Sequence, residues 1–350
     1  MKIKQSCPYL EKSDFDYIDE IIRNQYIARG EYVDELQKIF SKFLGIRYSI
    51  ATSSGTTALH LALLALNIKE HDEVIIPSYT CSALIDAVNY VRAVPVLADI
   101  DIETFNLTCD VLNKKISKRT KAIILTHTFG FPADIVGISK FGIPIIEDCA
   151  HSIGSLYKGR NTGSQGTISI FSFYATKMLA AGEGGMVCTD DSNIAETIYD
   201  LSTPNMRDSY RVRYNYKMSD LTAGLALNQM KKLDTFVKKR KKIAEIYKTI
   251  FSSFPVKLQK PINDTEPNYY RFIICTDKAN EVIDYTNSHG ILCDRPIFKP
   301  LHHYFLDKVE DKDFPGTDYA WNGTVSIPIY MGLKDSEIST IINIFKKFYE

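Results

Sequence analysis

Two textures alternate along the first two thirds of this chain. Short segments of four to six residues, most of them rich in Val, Ile and Leu, fall at 47–52, 73–77, 94–98, 121–126, 143–146, 168–173 and 185–189. Their length, β-branched content and flanking turn residues predict buried strands. Between and after them lie stretches with helical spacing, at 58–66, 81–90, 110–116, 134–140 and 190–201. Two further helices are predicted before the first strand, over 15–24 and 32–43. In the second, Val33, Leu36, Ile39, Phe40 and Phe43 share one face. Strand–helix alternation of this kind implies an α/β fold, a three-layer, mostly parallel sheet with helices on both faces. Ligands in such sheets bind at the C-terminal strand ends.

Residues 221–247 predict one long helix or two joined end to end, and Leu233, Phe236, Val237, Ala244 and Tyr247 form its apolar stripe. The lysines around it, such as Lys238, Lys239, Lys241 and Lys242, read as a solvated face. Beyond residue 254 the elements are shorter: a strand over 269–275, a helix over 281–288, an apolar stretch at 290–293 and a final helix over 335–349. The expected division is a large domain, 1–239, and a small C-terminal α+β domain, 240–350, with the N-terminal residues packing on the small domain.

Composition narrows the function. Lys and Arg number 42 and Asp and Glu number 42, so the chain is neutral overall. Neutral balance argues against nucleic acid or an anionic membrane as the main partner. The seven cysteines are scattered, with no C-x-x-C pair, which argues against a structural zinc site and against a disulfide framework. No apolar run approaches the ~20 residues of a membrane span. The expectation is a soluble cytoplasmic protein.

Chemistry concentrates at strand ends. After the first strand, Ser53-Ser54-Gly55-Thr56-Thr57 opens a nearly all-apolar helix. Free backbone N–H groups at such a helix start attract an anion, and the hydroxyls of Ser54, Thr56 and Thr57 can add hydrogen bonds. An ordinary N-cap explains the same residues equally well. His60, inside that helix, reads as a core histidine. Asp148 follows the apolar 143–146 strand, and a carboxylate placed there needs a cationic partner. Asp99 and Asp101 have a similar setting but read as turn formers. Lys177 follows the 168–173 strand and precedes an apolar run and the cluster Gly182-Glu183-Gly184-Gly185. Taken alone, a lysine at a loop tip is ordinarily hydrated. Held among apolar neighbours it would lose hydration and its pKa would fall, as a Schiff-base lysine requires. The stretch 204–220 carries Arg207, Tyr210, Arg211, Arg213, Tyr214 and Tyr216, a mix suited to an anionic ligand or a second subunit.

An anion-binding helix start, a carboxylate and a lysine at neighbouring strand ends are the three groups that pyridoxal 5′-phosphate (PLP) uses. Its phosphate takes the helix start, its pyridine nitrogen the carboxylate, and its aldehyde the lysine. The rival motifs, G-x-G-x-x-G for a dinucleotide and G-x-S-x-G for a hydrolase, are absent where they would be needed.

Ser53-Ser54-Gly55-Thr56-Thr57-Ala58-Leu59, Glu147-Asp148-Cys149-Ala150-His151, Phe171-Ser172-Phe173 with Lys177, Gly182-Glu183-Gly184-Gly185 and Tyr214-Asn215-Tyr216-Lys217-Met218 occur in this order. In this they resemble the motifs of the DegT/StrS-type nucleotide-sugar aminotransferases, PLP enzymes of fold type I, and the resemblance spans roughly residues 20–350. It implies the aspartate-aminotransferase-like fold. It gives Lys177 the Schiff base with PLP, Asp148 the pyridinium nitrogen, and His151 a place near the 3-hydroxyl. Gly55, Thr56 and Ser172 would hold the phosphate. Asn215 would reach the phosphate of a neighbouring subunit, making a homodimer with shared active sites. Lys217, Arg295 and His302 would contact donor carboxylate or nucleotide phosphates. The chain departs from the pattern at Cys81, where an aromatic residue often stacks on the PLP ring, leaving Cys81 or Tyr79 for that contact. It departs again at Tyr174, where many members have histidine. Dehydratase relatives replace the lysine with histidine, so Lys177 favours transamination.

The implied reaction moves an amino group from L-glutamate to a keto sugar attached to a nucleotide, with pyridoxamine 5′-phosphate as the form between the two halves. The product would be an amino sugar for surface polysaccharide, glycan or natural-product biosynthesis. Two alternatives stand beside it. One is dehydration, or amination of a non-nucleotide ketone, on the same scaffold. The other is a non-enzymatic PLP-binding regulatory protein.

Overall fold

The computed structural model describes residues 2–205, 208–305 and 311–350; Arg207 of the arginine- and tyrosine-rich stretch lies outside them. The seven predicted strands form one sheet: β1 Tyr48–Thr52, β2 Glu73–Pro77, β3 Val94–Ala98, β4 Thr120–Thr126, β5 Ile145–Asp148, β6 Ile168–Ser172 and β7 Gly185–Thr189. Their order is β1-β7-β6-β5-β4-β2-β3. The pairs β2–β3, β2–β4, β4–β5 and β5–β6 are parallel, and β7 runs antiparallel to both β6 and β1. Six strands therefore point the same way, and the loops after β1, β2, β5 and β6 emerge on one edge.

Alternating side chains feed cores on both faces of the sheet. Ile146, Ile170 and Val187 join the helix Gly55–Ala65 on one face. Phe171 and Met186 join Phe40 and Leu227 on the other, while Ile145 packs with Ile123 and Leu125. Residues Ala58 to Leu63 are all 4% exposed or less, as expected for a helix without a polar face. The helix begins at Gly55 rather than at Ala58. Ser54 Oγ accepts the Thr57 N–H at 3.1 Å and Thr57 Oγ1 accepts the Ser54 N–H at 3.0 Å, a reciprocal cap that sets the start three residues early.

The segment 221–247 is two helices, Asp220–Lys231 and Leu233–Phe251, which meet at Lys232. The second crosses position 239 without interruption. Its Phe236 and Val237 pack with the large-sheet core, whereas Ile243, Ala244, Tyr247 and Phe251 pack with the C-terminal elements. Those elements include an antiparallel sheet of Lys257–Leu258, Phe272–Cys275 and Thr324–Ile327. Ile3 joins this part: its N–H donates to Gly290 O at 2.8 Å and its carbonyl accepts the Leu292 N–H at 2.9 Å.

One buried carboxylate organises the end of β5. Glu147 is wholly buried and accepts N–H groups from Gly163 at 2.9 Å, Gln165 at 2.8 Å and Gly166 at 2.5 Å. His127 Nε2 lies 3.0 Å from Glu147 Oε2. Because His127 Nδ1 accepts the Ala133 N–H at 3.0 Å, Nε2 carries the proton and donates to Glu147. Burial raises the Glu147 pKa, but His127 and the backbone donors outweigh it and bring it below the usual carboxylate value. A carboxylate with a depressed folded pKa adds stability above the unfolded pKa and loses it as pH falls through the folded one. Glu147→Gln should therefore lose about 3 kcal/mol in urea unfolding at neutral pH, and the deficit should shrink below about pH 4. An undiminished deficit in acid would contradict this.

Candidate active site

The loop after β6 carries Lys177. Its turns close through Lys177 N–H to Tyr174 O at 2.8 Å, Ala181 N–H to Phe173 O at 2.8 Å and Ala175 N–H to Gly182 O at 3.1 Å. The glycine cluster that follows is required at Gly184. Its φ is +127°, and a Cβ there would meet Met218 Cε at 3.0 Å. Met178, Leu179 and Ala180 are buried, so the loop is pinned by its apolar run, and Lys177 is half-buried. The Lys177 Nζ lies 5.3 Å from the centroid of the Tyr270 ring.

Asp148 ends β5 and is 8% exposed. Its Oδ1 accepts the Ala150 N–H at 2.9 Å. Burial raises its pKa, and the opposing influences of the Ala150 N–H, Lys177 and His127 do not cancel the rise. A buried carboxyl so poorly compensated suits a ligand that brings its own positive N–H.

At the start of the helix Gly55–Ala65, the capping box uses the hydroxyls of Ser54 and Thr57, which are therefore committed within the chain rather than offered to an anion. The N–H groups of Gly55 and Thr56 belong to the first helical turn and have no intrahelical acceptor. Gly55 abuts the end of β6: a Cβ on it would stand 2.9 Å from Ser172 Cβ. Glycine here keeps a cradle open beside the Ser172 hydroxyl. These residues fit PLP: an anion cradle at Gly55, Thr56 and Ser172, a buried acid at Asp148, and an amine at Lys177.

His151 lies between two rings. Its imidazole is near-parallel to Tyr270, at 4.4 Å and 17°, and to Phe129, at 6.0 Å and 17°. Burial, then the charges of Lys177 and Arg271, hold its pKa well below the usual histidine value, so it is neutral at pH 7. Asn268, fully buried, fixes this stack. Its Nδ2 donates to His151 O at 3.0 Å and Ile153 O at 2.9 Å, and its Oδ1 accepts the Tyr270 N–H at 2.8 Å. Arg240 Nη1 donates to Tyr270 O at 2.9 Å and Ile329 O at 2.7 Å. Burial raises the Tyr270 pKa, but Lys177, Arg271, a hydrogen bond with Thr176 and Arg240 together lower it to about 8. Tyr270, Asn268 and Arg240 were not singled out in the sequence. The available signal was Asn268-Tyr269-Tyr270-Arg271, a polar and aromatic run opening an otherwise apolar strand.

The remaining expected site residues divide. Cys81 is solvent-exposed. Desolvation of its thiol raises the pKa, Lys177 lowers it and Asp148 raises it, so both charges are within electrostatic reach of Cys81. Tyr79 does not share that position. It is 1% exposed, packs edge-on to Phe105 and Phe129, and its hydroxyl lies 2.7 Å from Thr324 Oγ1. Asn215 is exposed on a loop tied to the helix start by the Ser53 N–H to Tyr216 O bond of 2.8 Å. Lys217, half-buried, is on the same loop. His60 is a core histidine with one polar contact, Nδ1 to Tyr216 Oη at 3.1 Å.

Two expected substrate contacts are engaged within the chain. The Arg295 guanidinium is bonded to the carbonyls of Trp321 and Asn322 and, at 2.7 Å, to Asn280 Oδ1, so three of its five N–H donors serve the small domain. His302 is fully buried between Ser78 and Asp318, with its ring stacked on Phe314 at 4.4 Å. Asp99 is structural as expected, accepting from Gly316 and Thr317 N–H at 2.8 and 2.7 Å, and Asp101 caps its own turn through Thr104.

Residues 8–346 match the model of the DegT/DnrJ/EryC1/StrS aminotransferase family, and the chain belongs to that family. It is a PLP-dependent aminotransferase. The chain is 33% identical to a GDP-perosamine synthase of Escherichia coli O157:H7 over 359 residues, spanning 98% of this chain and 97% of that protein. The aminotransferase TlmJ from Streptoalloteichus hindustanus superposes with a TM-score of 0.94 at 26% identity, covering 99% of this chain and 98% of that one. The sugar aminotransferase Spr1654 from Streptococcus pneumoniae, in its PLP form, superposes with a TM-score of 0.92 at 25% identity, over 99% and 98% of the two chains. Among the described residues no helix is long and apolar enough to cross a membrane.

Tyr270 gives a pH signature. In cofactor-free protein one tyrosinate should form near pH 8, seen as ultraviolet difference absorption, and should vanish in Tyr270→Phe. Because the folded pKa lies below tyrosine's ordinary value of about 10, this group should add stability as pH rises from about 8 towards 10. A titration with every tyrosine above pH 10 would contradict the arrangement.

Proposed function

We propose that this enzyme moves an amino group from L-glutamate to a keto sugar attached to a nucleotide, as a cytoplasmic homodimer with shared active sites. The observation that carries the reading is the buried, raised-pKa carboxyl of Asp148 within electrostatic reach of Lys177. The substrate class is supported by the likeness to GDP-perosamine synthase over nearly the whole of both chains. The exposed Asn215 and Tyr210, on the loop that ends at the helix start, support a second copy of the chain as the other wall of the pocket.

Bound PLP supplies an aldehyde carbon for the amine and an electron-withdrawing ring. Gly55 and Thr56 N–H groups and the Ser172 hydroxyl would hold its phosphate, and Asp148 its ring nitrogen. Asp148, deprotonated opposite that cation, would keep the proton on the nitrogen rather than on its own oxygen. Lys177 Nζ acts as base and acid, taking the proton from the donor carbon and returning it at the acceptor end. Met178, Leu179 and Ala180 anchor the loop that carries it on the apolar side. The neutral imidazole of His151, fixed by Asn268 and Tyr270, lies where it can accept or donate one hydrogen bond without adding charge.

Lys177→Ala should retain the fold by circular dichroism and lose 2-oxoglutarate formation from L-glutamate. With a nucleotide-linked keto sugar, mass spectrometry should show the amino sugar in wild type and none in the variant. Turnover in the variant at the wild-type rate would overturn the lysine's role. An aminated product only from free ketones would overturn the nucleotide reading and leave the aminotransferase chemistry standing.

A further inference from the structure

The side chains of His302, His303 and Asp318 converge on one point. His302 Nε2 lies 3.2 Å and His303 Nε2 lies 2.9 Å from the same oxygen, Asp318 Oδ1, and the three ligand atoms all fall within 4.8 Å of one another. We infer that these three side chains form a binding site for a divalent d-block cation, zinc being the natural occupant.

The spacing suits such an ion. Zinc holds imidazole nitrogen and carboxylate oxygen at ~2.0–2.1 Å, and a tetrahedron of that radius has edges of ~3.3 Å. Two imidazoles with one carboxylate also select zinc, cobalt or nickel over magnesium or calcium, which prefer all-oxygen sites. The imidazoles are held in place. The His302 ring stacks on Phe314 at 4.4 Å and 12°, and the His303 ring meets Trp321 edge-on at 4.8 Å. His302 Nδ1 lies 2.7 Å from the buried Ser78 hydroxyl. When Nε2 is given to the ion, the His302 proton sits on Nδ1 and Ser78 Oγ accepts it, the outer contact that ligating histidines usually have. The His302 side chain is fully buried, while those of His303 and Asp318 are 16% and 26% exposed, so an ion enters from their side and keeps a water as fourth ligand.

The other triad, His127, Glu147 and Cys149, does not compete. It is wholly buried, and Glu147 is already served by backbone N–H groups. At the proposed site an ion would clip the turn Leu301–Tyr304 to the helix Pro315–Gly323 and, through Ser78, to the segment that leads to Cys81.

Trp321 is the only tryptophan in the chain, so the site reports on itself. Chelator-treated holoenzyme titrated with Co²⁺ should show saturable quenching of tryptophan emission at one ion per chain, with Zn²⁺ competing and Mg²⁺ without effect. His303→Asn should weaken Co²⁺ binding at least tenfold while keeping the wild-type circular dichroism. Asp318→Asn gives a second variant should the first misfold. Absence of saturable quenching, or the same titration in both folded variants, would overturn the site and leave these residues as a hydrogen-bonded clip.

Discussion

Two adjacent buried carboxyls at the end of β5 set the terms for the rest of the site. Successive residues on a strand face opposite sides of the sheet, so Glu147 and Asp148 make separate sets of hydrogen bonds. Glu147 turns towards His127 and the backbone of 163–166, where the protein satisfies it completely and lowers its pKa. Asp148 turns the other way and keeps one backbone donor, and its pKa rises. The fold meets the cost of burying one carboxylate from within. It leaves the other for a cation that arrives with the cofactor.

The remaining groups converge because of topology. With six strands running the same way, the helix start after β1, Cys81 after β2, Asp148 on β5 and Lys177 after β6 all emerge on one edge of the sheet. The C-terminal elements then close the pocket from the side. Arg240 and Asn268 hold the backbone of Tyr270, and the Tyr270 ring lies against both His151 and Lys177. The amine of Lys177 and a neutral imidazole therefore share one aromatic wall. That wall is built from the part of the chain in which the sequence pattern is weakest.

What could be read from the sequence was local. The strand positions, the all-apolar helix at Gly55, the isolated Lys177 and the carboxyl at Asp148 are each defined by neighbours a few residues away. The residues that are hardest to read are those whose partners are far off in sequence. Tyr79 is spoken for by Thr324, 245 residues on, and His302 by Ser78, 224 residues back. Arg295 has the right chemistry for an anion, but nothing local reveals that three acceptors of the small domain take three of its five donors. Tyr270 was passed over for the same reason: its altered acidity comes from Lys177, Arg271, Thr176 and Arg240, most of them brought near only by folding.

The central claim is that Lys177 and Asp148 work together to carry nitrogen from glutamate to a nucleotide-linked sugar. The most direct measurement follows that nitrogen. PLP-loaded enzyme is given [¹⁵N]L-glutamate, freed of excess donor, and mixed with a panel of nucleotide-linked keto sugars, and the products are weighed by mass spectrometry. The account predicts one labelled amino sugar per active site in wild type and none in Asp148→Asn. Labelled enzyme that passes its nitrogen to no nucleotide-linked sugar, or an Asp148→Asn variant that transfers it as well as wild type, would contradict it.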